Sequence, residues 1–123
     1  MSRILGLHHA SLLVADTARS LAFYQGVLGL EVDPARPDLG FPGAWLQVGE
    51  QQIHLLELPA PDPVEGRPAH AGRDRHTALR VAGLEVLARR LEAAGVPFTR
   101  SRSGRAALFC RDPDGNGIEL VEG

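Results

Sequence analysis

Four side chains in this sequence, His9, His54, His76 and Glu119, are of the kinds that ligate divalent metal ions, and they fall at matching intervals. His54 follows His9 by 45 residues, and Glu119 follows His76 by 43. Three imidazoles and one carboxylate make a borderline nitrogen and oxygen donor set, suited to divalent Zn, Ni, Co, Fe or Mn. Four protein ligands on an ion that accepts five or six leave room for a small molecule. An ion bound through two oxygens of an α-hydroxycarbonyl or enediol lowers the energy of a neighbouring carbanion, because charge spreads onto oxygen held by the metal. Glu119 is the only anion of the four and so the candidate base for moving the proton. Arg75 and Arg105 are candidates for meeting an anionic substrate, and Trp45 and Phe109 for lining its cavity.

Chemistry of this kind requires elements that aim the four side chains at one point, and the sequence supplies them as an internal repeat. His9-Ala-Ser-Leu-Leu-Val14 leads into an amphipathic stretch over Thr17–Leu28 and then Gly29-Leu-Glu-Val32. His76-Thr-Ala-Leu-Arg-Val81 leads into a similar stretch over Leu84–Ala94 and then Gly95-Val-Pro-Phe98. Leu21, Tyr24 and Leu28, like Leu84, Leu87 and Leu91, recur at helical spacing, and each stretch closes on a glycine. Val48-Gly49 and Asp114-Gly115 mark hairpin turns ahead of Ile53-His-Leu-Leu-Glu57 and Ile118-Glu-Leu-Val-Glu122, which match nearly position by position. Pro59 to Asp74 is rich in Pro, Gly, Asp and Arg without periodicity and reads as a linker.

The expected class is therefore α+β: one domain over 1–123, with a module over 1–58, a linker over 59–74 and a module over 75–123. Each module is βαβββ, and together they form a cupped mixed sheet with helices on its outer face. Strand alternation gives the orientation. Ala10, Leu12 and Val14, Thr77, Leu79 and Val81, Ile53 and Leu55, and Ile118 and Leu120 form the helix-side set, which sends His9, His54, His76 and Glu119 to the opposite, concave face. His8 falls on the helix side, Glu57 and Glu122 are expected as solvated rim carboxylates, His70 as a solvated linker residue, and Cys110 as a small buried apolar group.

Composition narrows the remaining classes. The 123 residues carry 44% hydrophobic side chains, a formal charge of −2 and 13 basic residues that are all arginine and spread singly, so no basic footprint for nucleic acid exists. A small-molecule substrate is the expected partner. One cysteine makes no intrachain disulfide, and no stretch reads as a membrane span or a signal peptide, so a cytoplasmic setting without membrane attachment is expected.

Several segments together resemble one family. Leu7-His-His-Ala-Ser-Leu-Leu-Val14, Ser20-Leu-Ala-Phe-Tyr24 with Leu28-Gly-Leu30, Ile53-His-Leu55, His76-Thr-Ala-Leu79 and Asp112-Pro-Asp-Gly-Asn-Gly-Ile-Glu-Leu120 are similar to the glyoxalase, bleomycin-resistance and extradiol-dioxygenase superfamily, the vicinal oxygen chelate proteins. The resemblance implies a divalent metal held by the first and last strand of each module, which by motif match are His9, His54, His76 and Glu119. It also implies a substrate that chelates through two neighbouring oxygens, with glyoxalase-type isomerase or lyase chemistry as the leading expectation. An extradiol-type dioxygenase or a metal-free drug-binding resistance protein is the alternative. Lactoylglutathione lyases commonly carry Glu or Gln where His54 stands, so this chain is expected to isomerise a glutathione hemithioacetal poorly. Short chains of the family commonly pair, which implies a homodimer in which His9 and His54 of one chain meet His76 and Glu119 of the other.

Overall fold

The computed structural model describes residues 1–123. In chain order the elements are β1 (His9–Val14), α1 (Thr17–Leu21, continuing as a π-helical stretch over Ala22–Val27), β2 (Glu31–Val32), β3 (Gly43–Val48) and β4 (Gln51–Glu57). A 3₁₀ turn at Ala71–Arg73 follows, then β5 (His76–Val81), α2 (Leu84–Ala93), β6 (Phe98–Arg100), β7 (Ala107–Arg111) and β8 (Gly117–Glu122). Two four-stranded mixed sheets result, ordered β1-β4-β3-β2 and β5-β8-β7-β6, so the expected βαβββ order is present twice. The repeat extends to register. β1 runs parallel to β4 with Ser11 beside His54, and β5 runs parallel to β8 with Ala78 beside Glu119.

The first helix departs from a plain α-helix. After Leu21 the bonding loosens, and Leu28 N–H reaches back five residues to the Phe23 carbonyl at 3.0 Å. Such a widened turn narrows the angle between neighbouring side chains, and Phe23 and Tyr24, adjacent in sequence, are both buried. Leucine spacing alone does not distinguish this from an α-helix. Gly29 and Gly95 follow the helices with φ of 79° and 71°, the left-handed conformation expected of closing glycines.

Glu57 and Glu122 are not free rim carboxylates. Glu57 Oε1 accepts from Thr17 N–H at 2.8 Å, and Glu122 accepts from Leu84 N–H at 3.0 Å and from Gly83 N–H at 3.2 Å. Each last strand thus ends in an anion set on the N-terminus of its module's helix, where the helix dipole favours negative charge.

One hydrophobic cluster serves both modules. It takes Val14, Ala44, Leu46, Ile53 and Leu55 from the first sheet, Leu79, Leu108, Cys110, Ile118 and Leu120 from the second, and Phe23, Tyr24, Leu84, Leu87, Ala88 and Leu91 from the helices. The helix-side faces of both sheets are therefore turned into a common core, and their opposite faces lie outside it. Polar contacts fasten the modules together: Tyr24 Oη donates to Asp112 Oδ2 at 2.6 Å, Asn116 Nδ2 to the Leu13 carbonyl at 3.1 Å, and Ala15 N–H to Asp114 Oδ1 at 3.0 Å.

The linker is tied down at its end. Asp74 accepts from Arg111 at 2.8 Å and lies 3.6 Å from Arg67, while Ala71 is buried and packs its turn against β7 and β8. No helix is long and apolar enough to cross a membrane.

Candidate metal-binding half-sites

Strand alternation places the four candidate ligands as the sequence pattern requires. Ile53 and Leu55 are 2% and 1% exposed and Ile118 and Leu120 are 0% and 1% exposed, all in the core, so the residues between them, His54 and Glu119, face the other way. Across β3, His54 stands opposite Trp45; across β7, Glu119 stands opposite Phe109. The two modules thus present equivalent triplets, His9, His54 and Trp45 on one sheet and His76, Glu119 and Phe109 on the other.

In the second module the pair is preorganised. His76 Nδ1 lies 2.9 Å from the Asp74 carbonyl, to which it can only donate, so Nε2 is the nitrogen that could meet a metal ion. Nε2 then sits 3.2 Å from Glu119 Oε1. Two donors each about 2.0–2.1 Å from one ion, at right or tetrahedral angles, are separated by roughly 2.9–3.3 Å, so this spacing fits adjacent ligands. Glu119 Oε2 is taken by Arg105 Nη2 at 2.9 Å. Only 3% of the carboxylate side chain is exposed, and the Phe109 and His76 rings meet at 89° with centroids 5.1 Å apart.

In the first module the imidazoles form a stack. His9 and His54 have ring centroids 4.0 Å apart at 16°, and Trp45 lies on the other side of His54 at 4.5 Å and 10°. His54 Nε2 is 2.8 Å from Gln52 Oε1, and His9 Nδ1 is 2.8 Å from His8 Nδ1. Partial burial first, then the neighbouring His9, His8 and Arg36, depress the His54 pKa below the ordinary histidine value, opposed by Asp33. A depressed pKa keeps this ring neutral, the form that ligates.

Within one chain the two pairs do not meet: nowhere do three His, Cys, Asp or Glu side chains gather closely enough to hold an ion. Because both helix-side faces share one core, the faces bearing the candidate ligands lie on its outside and do not enclose a common cavity in one chain. A cleft of about 740 Å³ runs between the outer edges of β1 and β5. His76, Arg75, Ser11 and Asp114 line it, but His9, His54 and Glu119 do not.

Other sequence candidates are also placed. Arg75 is exposed and bonded to Asp62 at 2.9 Å, and Arg105 is committed to Glu119, so neither presents a free guanidinium. His70 is half-buried rather than solvated, with Nδ1 2.6 Å from Thr99 Oγ1 and its ring edge-on to Phe109 at 4.9 Å. Cys110 is in the core, and burial pushes its thiol up to about 12, which makes it inert as a nucleophile. One cation escaped the sequence reading. Arg36, in the loop between β2 and β3, lies close enough to His54 to influence its charge; the only hint in the sequence is its position between Pro34 and Pro37, which stiffen the loop.

Comparison with known proteins agrees with this architecture. The chain is 34% identical to Glyoxylase I 4 of Arabidopsis thaliana over 120 residues, spanning 93% of this chain and 68% of that protein. In fold it is similar to a glyoxalase family protein from Bacillus anthracis, with a TM-score of 0.80 over 100% of this chain and 98% of that one at 23% identity. It is likewise similar to a variant of the fosfomycin resistance protein FosX from Listeria monocytogenes, solved with Mn(II) and 1S,2S-dihydroxypropylphosphonic acid, at a TM-score of 0.73 and 21% identity over 98% of this chain and 92% of that one. The family model for the Glyoxalase/Bleomycin resistance protein/Dioxygenase superfamily matches residues 6–120, and the chain belongs to that superfamily.

Proposed function

We propose that the protein is a metal-dependent enzyme of the glyoxalase type whose site is built by two chains. His9 and His54 of one protomer and His76 and Glu119 of its partner would hold one divalent ion. The observation that carries this reading is the His76 and Glu119 pair, with Nε2 and Oε1 at ligand spacing and each side chain's other polar atom already bonded, to Asp74 and Arg105. Support for assembly comes from the separation of the two pairs within one chain and from the position of β1 and β5 at the edges of their sheets. The extended segment before β1 adds to it, with Ile4, Leu5 and Leu7 94%, 86% and 81% exposed. A two-fold dimer of this kind would carry two equivalent sites.

When bound, the ion would act as a Lewis acid toward a substrate chelating through two neighbouring oxygens, as the diol phosphonate in the FosX structure is equipped to do. The chain's own residues would do the rest. Arg105 fixes Glu119 in one orientation, so that a single oxygen faces the site. Asp74 fixes the His76 tautomer. Glu119, the only carboxylate of the four, would take the substrate proton on Oε1 by releasing the ion, while Oε2 stays with Arg105. Trp45 and Phe109 wall the site, exclude water and set the width of the substrate.

The test is metal content after reconstitution with one divalent ion at a time, by elemental analysis, for the unaltered protein and for His76→Ala and Glu119→Ala. About one ion per chain in the first and less than about a tenth in the variants is expected. Equal metal in all three would overturn the assignment. Isomerisation, elimination and O₂-uptake assays on the loaded protein then distinguish the glyoxalase reading from a dioxygenase.

A further inference from the structure

Three of the thirteen arginines are half-buried: Arg36, Arg67 and Arg111. Arg67 and Arg111 share Asp74, but Arg36 has no carboxylate within ion-pair distance. Its only hydrogen bond runs from Nη2 to the Phe41 carbonyl at 2.8 Å, and its guanidinium lies over the Phe41 ring at 5.4 Å. Most of the five N–H donors of a guanidinium are therefore uncommitted. The acids of the same loop are bonded elsewhere. Asp33 accepts from Ala35 N–H and Gln52 Nε2, and Asp38 accepts from Gly40 N–H.

Its placement is specific. A Cβ on Gly43 would run into the Leu55 backbone carbonyl oxygen first and would then lie 3.0 Å from Arg36 Nη2 and 3.3 Å from Cζ, so the guanidinium packs against a strand position that backbone keeps free of a side chain. Gly43 has the same parity as Trp45, which stands opposite His54. Arg36 thus packs against the start of β3, two residues along the strand from Trp45, a distance of about 7 Å at strand rise. A partly desolvated cation without a counter-ion is costly, and an arriving anion relieves that cost.

We infer that Arg36 is the specificity-determining cation of the site, and that the substrate carries, besides its two chelating oxygens, a separate carboxylate, phosphate or phosphonate. This rests on the chelate reading above. It assigns to Arg36 the role that Arg75 and Arg105, both paired, do not fill.

The experiment compares two probes by calorimetry on metal-loaded protein. Benzohydroxamate chelates through two neighbouring oxygens and is otherwise neutral; 4-carboxybenzohydroxamate adds an anion at the far end. Arg36→Ala is expected to weaken the carboxylated probe by about tenfold or more while changing the neutral one less than about twofold, with Arg36→Lys restoring part of the loss. Equal effects on both probes, or no effect on either, would overturn the inference. Metal content and melting temperature, measured on each variant, must match the unaltered protein. If neither hydroxamate binds the unaltered protein, the chelate reading itself fails. The anion site is then read with 4-carbamoylbenzoate, which has the carboxylate without the chelating pair: binding that Arg36→Ala abolishes upholds the site, and binding indifferent to Arg36, or none, removes it.

Discussion

The Tyr24 hydroxyl donates to Asp112 Oδ2 at 2.6 Å across 88 residues of sequence, and both side chains are buried where the modules meet. Asp112 accepts from three further donors, the N–H groups of Asp114 and Asn116 and the Asn116 side-chain amide, each at 2.9 Å. Burial, followed by the adjacent Asp112 charge, holds the Tyr24 phenol well above its ordinary pKa, so it remains a donor at any working pH. One bond thus fastens the π-helical stretch of the first module to the β7–β8 turn of the second, and with it the back-to-back packing that turns the candidate ligand faces away from each other.

Tyr24→Phe keeps the ring and removes the bond, leaving a buried carboxylate one donor short. The expected cost is about 1–3 kcal/mol, read as a lower unfolding midpoint in urea with the slope unchanged. An unchanged midpoint would mean that this bond adds nothing to the packing of the modules.

The Asp74 contacts predict a pH-dependent effect. Hydrogen bonding from Arg111 comes first among the causes that hold its carboxyl below the ordinary aspartate value. A carboxylate with a lower pKa folded than unfolded contributes stability that is fully present above about pH 4 and is lost as the pH falls through its folded value. Asp74→Asn should therefore melt below the unaltered protein at pH 7, and the gap should close as the pH drops below about 4. A gap constant from pH 7 to pH 3 would contradict the assignment.

Much of this arrangement was legible in the sequence because strand parity and internal repetition are strong signals. Matching Ile53-His54-Leu55 to Ile118-Glu119-Leu120 fixed which residues enter the core and which face away, and the structure places them so. Other features depended on contacts between distant residues. The capping roles of Glu57 and Glu122 need the helix to start beside the strand end. The pairing of Arg105 with Glu119 depends on a loop conformation that no periodicity encodes. Arg36 looks like any loop arginine until Gly43 is seen beneath it. Parity also says which face a ligand occupies without saying which chain's sheet stands opposite.

Arg105 acts here through Glu119. Its removal leaves Oε2 buried without a donor and the carboxylate free to turn, so Arg105→Ala is expected to weaken metal binding by about 10–100-fold, measured by competition with a chelator of known affinity. The Arg105→Lys protein should recover part of that loss. Unchanged affinity in Arg105→Ala would show that Glu119 needs no such support.

Shared sites make a quantitative demand on mixed dimers. Protein carrying His9→Ala and protein carrying Glu119→Ala should each bind little metal alone. After mixing under exchange conditions, a heterodimer has one site that combines both lesions and one that combines neither. With random pairing, about a quarter of all sites should be intact, and metal content should rise to about that fraction. Metal content that stays at the level of the separate variants, with heterodimers shown to have formed, would contradict a site built by two chains.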